Sequence, residues 1–491
     1  MPDRIIPAAW KNNKPLSKAG NNALFSNSFL IFITRFFPSL ANLLVMIWYS
    51  KHLLPAVYGA YQNFWIQLYV ISSLVCLGIH VLVITYSPAY LTKLLQGIKP
   101  GQYILYALWS VVLAGVFAAL QYHAVGTSFI IPFLLLLCFA LAVLLEAFLI
   151  VFRNYKPLII INVLYAAAFL AMHWYALGNG FSLRTLFTGL LAIVALRLCV
   201  YAGMAGYNAK QYNGDRPIED HSPEKIRTLW LHLGLYDVLQ VLFSYIDKFV
   251  ISVLLAASVS AVYFNGSQNI PFLPLLIGAA GSAVLIQLSG SDEQREHIDT
   301  MLLMNQVGRM LSCIVFPVFL FLFLFRVPFM IAVFSDKYIP AIPIFAVSIL
   351  VLPVRAYHFT TVLQRMHRGA IINIGAIGDL VVACVLMYPL YRWLGLPGVA
   401  LSFVISTYLQ ASFYLLYTAK AMQVSPLKLI PYTNWLIKMI FFAAILIGIR
   451  YTSNLYFVGS IPLILGGAVT VVLVAVSLLF EFRQYRQHGI S

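Results

Sequence analysis

Ten ionisable side chains stand in stretches that are otherwise apolar: the bases Arg35, Arg197, Lys248, Arg326, Arg355 and Lys438, and the acids Glu146, Asp237, Asp247 and Asp379. A guanidinium offers a planar fork of donors that meets a phosphate at two points, so deeply set arginines point to an anionic ligand. Carboxyl groups in the same setting can take up and release a proton or a monovalent cation. Each charge near the centre of a bilayer costs about 2.5–3.5 kcal/mol on insertion scales. Lys438 is close enough to one end of its stretch to snorkel, and Arg326 to reach the opposite interface. The remaining eight carry very roughly 20–28 kcal/mol if nothing compensates them, so they must face one another or a water-filled cavity.

Arg35, Arg197 and Arg355 lie deepest, on three separate stretches, and are the candidate substrate-binding cations of a basic cavity. Glu146, Asp237, Asp247, Lys248 and Asp379 are candidates for ion coupling or for internal pairing. The pairing alternative is concrete. Asp247 and Lys248 can form a local pair. Glu146 precedes Arg153 by seven residues, about two helical turns along one face. Asp237 and Asp379 can each meet an arginine of a neighbouring helix. His80 and His173, on apolar faces, read as core histidines.

The elements that carry these residues are set by composition. Of 491 residues, 62% are hydrophobic and 9% charged, and the mean hydropathy is +0.89. A soluble domain is roughly 45–50% apolar and about 25% charged. Soluble enzymes, DNA-binding domains and disordered hubs are thereby excluded for the whole chain. The net charge of +16 reads as loop Lys and Arg of a membrane protein rather than a nucleic-acid surface. Cys76, Cys138, Cys199, Cys313 and Cys384 lie in apolar stretches without a CxxC pair and read as small hydrophobes. No metal-ligand spacing, phosphate-cradling Gly-rich loop or GxSxG is present, so no metal, cofactor or enzymatic activity is expected.

Crossing a bilayer takes roughly 20 apolar residues. Polar, Pro and Gly breaks delimit fourteen candidate helices: 24–49, 58–86, 102–121, 129–152, 157–178, 181–206, 230–256, 259–289, 307–334, 340–366, 371–392, 397–420, 431–451 and 457–480. Residues 1–23 form a basic tail, and the first apolar run outlasts a signal-peptide core, so it reads as a retained span. With the N-terminus cytoplasmic, the inside segments hold twenty Lys and Arg. The outside segments hold five: Lys51, Arg184, Lys337, Arg392 and Arg450. That bias places both termini in the cytoplasm.

The expected architecture is an all-α polytopic membrane protein. A six-helix bundle (24–206), a cytoplasmic linker (207–229), a second six-helix bundle (230–420) and two further helices with a short tail (421–491) follow one another. Six spans precede the linker, so both bundles start from the same side, as in a parallel repeat. A shift of 202 residues pairs Ser50 with Ser252, Val57 with Val259, Tyr61 with Tyr263, Asn63 with Asn265 and Ser87 with Ser289, and sets Arg35 opposite Asp237. Pro38, Pro271, Pro274, Pro317, Pro328 and Pro353 are expected to interrupt helices.

Four motifs resemble those of a known family. Lys51-His-Leu-Leu-Pro-Ala-Val-Tyr-Gly-Ala-Tyr-Gln62 resembles its Leu-x-Pro-x-x-(Tyr/Phe)-Gly-x-Tyr turn. Asp247-Lys-Phe-Val-Ile-Ser252 with Ala261-Val-Tyr263 resembles its seventh-helix element. Phe334-Ser-Asp-Lys-Tyr338 with Ala341-Ile-Pro-Ile-Phe345, and Leu394-Gly-Leu-Pro-Gly-Val-Ala400, resemble its tenth- and twelfth-helix stretches. The family is the polysaccharide flippase branch of the multidrug/oligosaccharidyl-lipid/polysaccharide exporter superfamily. The resemblance runs from about residue 24 to residue 420. Ala261 and Ser335 depart from it, standing where the family often has Gly.

The resemblance implies two bundles about a hydrated cavity and translocation of undecaprenyl-pyrophosphate-linked oligosaccharide across the bacterial plasma membrane, for surface polysaccharide such as O-antigen. It matches Arg35 to a cavity arginine and aligns no motif with Arg197 or Arg355. The partners it implies are the lipid-linked oligosaccharide, a proton or monovalent cation, the bilayer and glycan-assembly proteins. The alternatives are a cation-coupled multidrug exporter of the same superfamily, a membrane-embedded glycan polymerase or ligase, and a non-transporting member of a glycan assembly machine. Like charge in a low dielectric disfavours the first for cationic drugs, and the short external loops disfavour the second.

Overall fold

Long apolar runs punctuated by Gly and Pro become helices, because every backbone polar group in lipid must be satisfied within its own segment. The computed structural model describes residues 18–125, 128–211, 223–268, 296–366 and 368–488. Among them there is no strand. The α-helices are α1 (Lys18–His52), α2 (Pro55–Cys76), α3 (Ile79–Ile84), α4 (Pro88–Gly97), α5 (Pro100–Val125), α6 (Ile130–Val151), α7 (Tyr155–Gly178), α8 (Leu183–Gln211), α9 (Pro223–Leu254) and α10 (Ala257–Gly266). Then come α11 (Glu296–Leu324), α12 (Arg326–Phe334), α13 (Ile342–Ser348), α14 (Thr360–Arg365), α15 (Gly369–Leu394), α16 (Leu396–Met422), α17 (Pro426–Leu429), α18 (Tyr432–Tyr456) and α19 (Ile461–His488).

Ten described segments are long and apolar enough to cross a bilayer, and the chain is an all-α polytopic membrane protein. The expected spans 24–49, 58–86, 230–256 and 259–289 are not among the ten. All of the first is helical, with described side chains over 33–49 only; the second and third are helical over most of their length but polar, with buried Asn63, Gln67, Ser72 and Ser73 on α2 and Asp237, Asp247 and Lys248 on α9. The fourth is described only as α10; Pro271, Pro274 and Ser289 lie outside the described residues, as do 1–17 of the tail and 212–222 of the linker.

The described residues fall into two compact units, Met1–Met46 with Ile71–Val238, and Ile47–Val70 with Leu239–Ser491. In the first, α6 is central and packs against α3, α5 and α8; Ala142, Leu149, Ile150, Leu158 and Tyr201 form its core. In the second, α15 packs along α16, and α11 against α18 and α19. One of its core clusters joins Ile66, Tyr263, Phe264, Ile344 and Val399. Ile160 and Leu164 of α7, and Ile437, Ile440, Val471 and Val472 of α18 and α19, are exposed, as lipid-facing residues must be.

Three expected spans break. Span 58–86 stops at Leu77 (φ 45°) and Gly78 (φ 66°). Trp230 Nε1 donates to Leu77 O at 2.9 Å, and a Cβ on Gly78 would lie 2.3 Å from Gly234 Cα. Only glycine fits that left-handed, backbone-on-backbone crossing. Span 307–334 breaks at Phe325, between α11 and α12. Span 340–366 dissolves into 3₁₀ turns at 336–341, 349–351 and 353–356 around α13. Its prolines 340, 343 and 353 each remove a backbone donor, and the last opens the turn that carries Arg355. By contrast Pro38 and Pro317 sit inside continuous helices, and Pro328 lies in the first turns of α12, so these three do not interrupt.

The 202-residue shift reappears in the backbone. α1 ends at 52 and α9 at 254; α2 starts at 55 and α10 at 257. Ser50 Oγ donates to Ile47 O, and Ser252 Oγ to Phe249 O, both at 2.7 Å. Within the second unit the two hairpins touch: Tyr58 Oη donates to Asn265 Oδ1 at 2.8 Å. A Cβ on Gly59 would meet the Ala257 carbonyl oxygen at 1.7 Å. Lys51 Nζ donates to Ala332 O (2.7 Å) and Lys337 Nζ to Lys51 O (2.8 Å), pinning the turn before α2 to the one after α12.

Candidate functional site

In the first unit Arg35 of α1 and Arg197 of α8 converge on Glu146 of α6. Arg197 Nη2 lies 2.6 Å from Glu146 Oε2, and Arg35 Nε lies 3.7 Å from Glu146 Oε1. Arg197 also donates through Nε to Tyr201 Oη at 3.1 Å, and its Cζ lies 4.5 Å from the Tyr165 ring centroid. Tyr201 Oη donates to Asn162 Oδ1 (2.7 Å), and Asn162 Nδ2 to Thr34 O (2.9 Å), tying the cluster back to α1. The side chain of Arg197 is 13% exposed and that of Arg35 59%. Arg197 is thus locked in place, whereas Arg35 keeps donors free. Glu146 turns to these two arginines instead of Arg153, because α6 stops at Val151 and Arg153 takes φ 59° in an exposed turn.

Asp237 of α9 meets a histidine, not an arginine: His80 Nε2 lies 3.4 Å from Asp237 Oδ1. The pair sits beside the Leu77–Gly78 break, so His80 is more than a core histidine. His173 does fill that role, fully buried with Nδ1 2.7 Å from Phe169 O.

In the second unit Asp247 and Lys248 do pair, Nζ to Oδ2 at 3.4 Å. Tyr263 Oη donates to the same Oδ2 at 2.8 Å, while Asp247 Oδ1 is buried without a described partner. These groups line a cavity of about 100 Å³ together with Ser244, Ser267, Ser348, Arg355 and Thr407. It has room for about three waters or one phosphate-sized anion. Ser267 Oγ and Ser348 Oγ are also buried without described partners. Arg355 has no carboxylate partner among the described residues. Two cations therefore face one carboxylate and a set of hydroxyls. Across the 353–356 turn lies a second, apolar cavity of about 400 Å³, lined by Pro353, Val354, Phe359, Tyr408, Trp435 and Leu436 among others.

Asp379 of α15 is buried, with Ser406 within reach of its carboxyl; Oδ1 has no partner and no described arginine meets it. Lys438 does not snorkel. Its Nζ lies 2.8 Å from Glu481, which Arg309 also contacts at 3.0 Å, and donates to Ser312 Oγ at 3.1 Å. The hydroxyls of Ser267, Ser348 and Thr407 were not singled out from sequence, because serine and threonine carry no distinguishing spacing; Tyr263 alone had a signal, as the repeat partner of Tyr61.

No family model and no curated protein sequence matches the chain. Its likeness is to solved structures, and it is a likeness of fold, the one found in transporters of the MOP superfamily. Lipid II flippase MurJ, in an inward closed conformation, aligns over 95% of this chain and 100% of its own, at 15% identity and a TM-score of 0.62. An inward-facing multidrug resistance MATE transporter aligns over 80% of this chain and 98% of its own, at 17% identity and TM-score 0.54. A MOP superfamily transporter from Pyrococcus furiosus, described as having a binding pocket of reverse polarity, covers 81% and 94% at 16% identity and TM-score 0.53.

Proposed function

We propose that the chain is a flippase that moves a diphosphate-linked lipid oligosaccharide across a bacterial plasma membrane by alternating access, both termini being cytoplasmic. The observation that carries this reading is the turn at 353–356. Arg355 and Val351 line the cation-rich polar cavity, while Pro353 and Val354 line the apolar one. A single turn thus separates a place for an anionic head from a place for a hydrocarbon tail. The likeness to a lipid II flippase over 95% of the chain, against 80% for the MATE structure named above, supports the reading. In the second unit Arg355, with Lys248, holds phosphate oxygens; in the first, Arg35 offers free donors to an anion and Arg197 holds Glu146 in position. Asp237 with His80, Asp247 and Asp379 are the groups through which a proton or monovalent cation drives the return step.

The bundles 24–206 and 230–420 are the moving bodies, and 421–491 adds two helices, the first of which, α18, lines the apolar cavity through Tyr432, Trp435 and Leu436. A surface polysaccharide such as O-antigen is the end product, with glycan-assembly proteins as neighbours. A cation-coupled multidrug exporter is the second reading, favoured by Asp379, a buried carboxyl that no described cation meets.

The test is reconstitution in liposomes with a fluorescent prenyl-diphosphate disaccharide, leaflet exposure being read by chemical quenching. Wild type is expected to flip the probe, and Arg355→Gln to lose at least about tenfold in rate, the worth of one or two charge-assisted hydrogen bonds. Efflux of a cationic dye without flipping would replace the flippase with the exporter.

A further inference from the structure

The junction of α11 and α12 gathers two arginines without an acid. Phe325, buried, separates the two helices, and Arg326 opens α12. Arg326 Nη1 donates to Phe323 O at 2.8 Å, and its Cζ lies 5.1 Å from the Phe323 ring centroid. Arg450 of α18 sets its Cζ 5.5 Å from the Phe325 ring. The two guanidinium groups thus lie over rings two residues apart at one junction. α19 closes the back of the junction, lying flush against the Phe325 ring at Gly466.

Elsewhere in this unit Lys248 is met by Asp247, and Lys438 and Arg309 by Glu481, while Arg355 faces the polar cavity. Arg326 and Arg450 have no carboxylate among the described residues. Stacking on a ring occupies the face of a guanidinium and leaves its N–H edge free. Two like charges held side by side in a membrane span are costly unless an anion lies between them.

Position says which anion. Lys438 and Arg450 are twelve residues apart on α18, about 18 Å along the axis. Lys438 is clustered with Glu481 near the end of α19, so Arg326 and Arg450 look to the leaflet opposite the C-terminal tail. Ile447 and Tyr451 of α18 and Ile464 of α19, flanking them, are exposed and apolar. We propose that Arg326 and Arg450 form a binding site for the phosphate headgroup of a membrane lipid in that leaflet, the acyl chains lying along α18 and α19. A phosphate accepts from both forks at once and removes their repulsion.

The test is the thermal midpoint of the purified full chain in neutral detergent, with dioleoyl-phosphatidylglycerol, dioleoyl-phosphatidylcholine or inorganic phosphate added. Phosphatidylglycerol is expected to raise the wild-type midpoint by a few degrees, as a ligand of the native state does; the other two should not. Without lipid, Arg450→Gln should unfold no earlier than wild type, because it relieves repulsion, and its response to phosphatidylglycerol should fall by half or more. Arg326→Gln/Arg450→Gln should lose the response, and Arg392→Gln, an exposed cation elsewhere, should keep it. An undiminished response in Arg450→Gln, or an equal loss in Arg392→Gln, would overturn the site. So would early unfolding of lipid-free Arg450→Gln, which would make the arginine structural. An equal response to inorganic phosphate would make the ligand a free anion instead of a lipid.

Discussion

Each unit sets two cations about one carboxylate, and the two arrangements differ in what they leave over. Around Glu146 each carboxylate oxygen faces its own arginine, and the buried Arg197 is further held by Tyr165 and Tyr201. Around Asp247 one oxygen serves both Lys248 and Tyr263, the other has no described partner, and Arg355 meets no described acid. The first cluster satisfies itself and leaves only Arg35 half free. The second leaves a guanidinium, a carboxylate oxygen and two hydroxyls facing a small cavity. Buried polar groups are normally paired, so a site that leaves them unpaired is waiting for something. Equal charge counts therefore conceal opposite arrangements: one cluster ties helices together, and the other is left open towards a cavity.

The sharpest way to break this contrast is to remove one acid and one base. Glu146→Gln strands Arg197 in a dry setting and should destabilise the chain by about 3–5 kcal/mol, the usual result of breaking a buried pair. Arg355→Gln removes no partner and should shift stability by less than about 1 kcal/mol while costing transport. Denaturation midpoints of the two variants, measured side by side in detergent, decide it. Equal losses would mean that Arg355 is structural. Arg35→Gln gives a finer cut. With its side chain 59% exposed and its contact at 3.7 Å, it behaves as a surface pair, worth about 0–1 kcal/mol. Its effect should appear as slower flipping at nearly unchanged stability; a loss as large as that of Glu146→Gln would place Arg35 inside the structural cluster.

What sequence reveals of these sites is their raw material. Charges in apolar runs stand out, so Arg35, Glu146, Asp247 and Arg355 are visible at once, and the neighbours Asp247 and Lys248 pair as expected. The repeat is visible too, to the residue: one shift maps both helix ends and starts. Pairing between distant helices is not visible. Glu146 and Arg197 are 51 positions apart, and which faces meet depends on helix rotation that hydropathy does not encode when every face is apolar. His80 meets Asp237 only because α2 breaks at Leu77, and that break depends on Gly234 and Trp230 more than 150 residues later. The hydroxyls of the polar cavity come from α9, α10 and the residue after it, α13 and α16, and share no spacing at all.

One residue of the motifs has a physical reading that separates scaffold from site. Ser335, standing where the motif it resembles often has Gly, adopts φ 83° and ψ 169°, a region that is essentially glycine's own and strains other residues by about 1–3 kcal/mol. It caps α12 just before Lys337, whose ammonium ties this turn to the carbonyls of Lys51 and Leu53. The strain thus belongs to the hairpin contacts of the second unit, and Ser335 does not line its polar cavity. Ser335→Gly should raise stability by about 1 kcal/mol, part of the relief being offset by the added freedom of the unfolded chain, and should leave the rate of flipping unchanged. The readouts are the chemical-denaturation midpoint and the liposome assay on one preparation. A gain in stability with a fall in rate would mean that this turn moves during transport and that the strain drives the cycle.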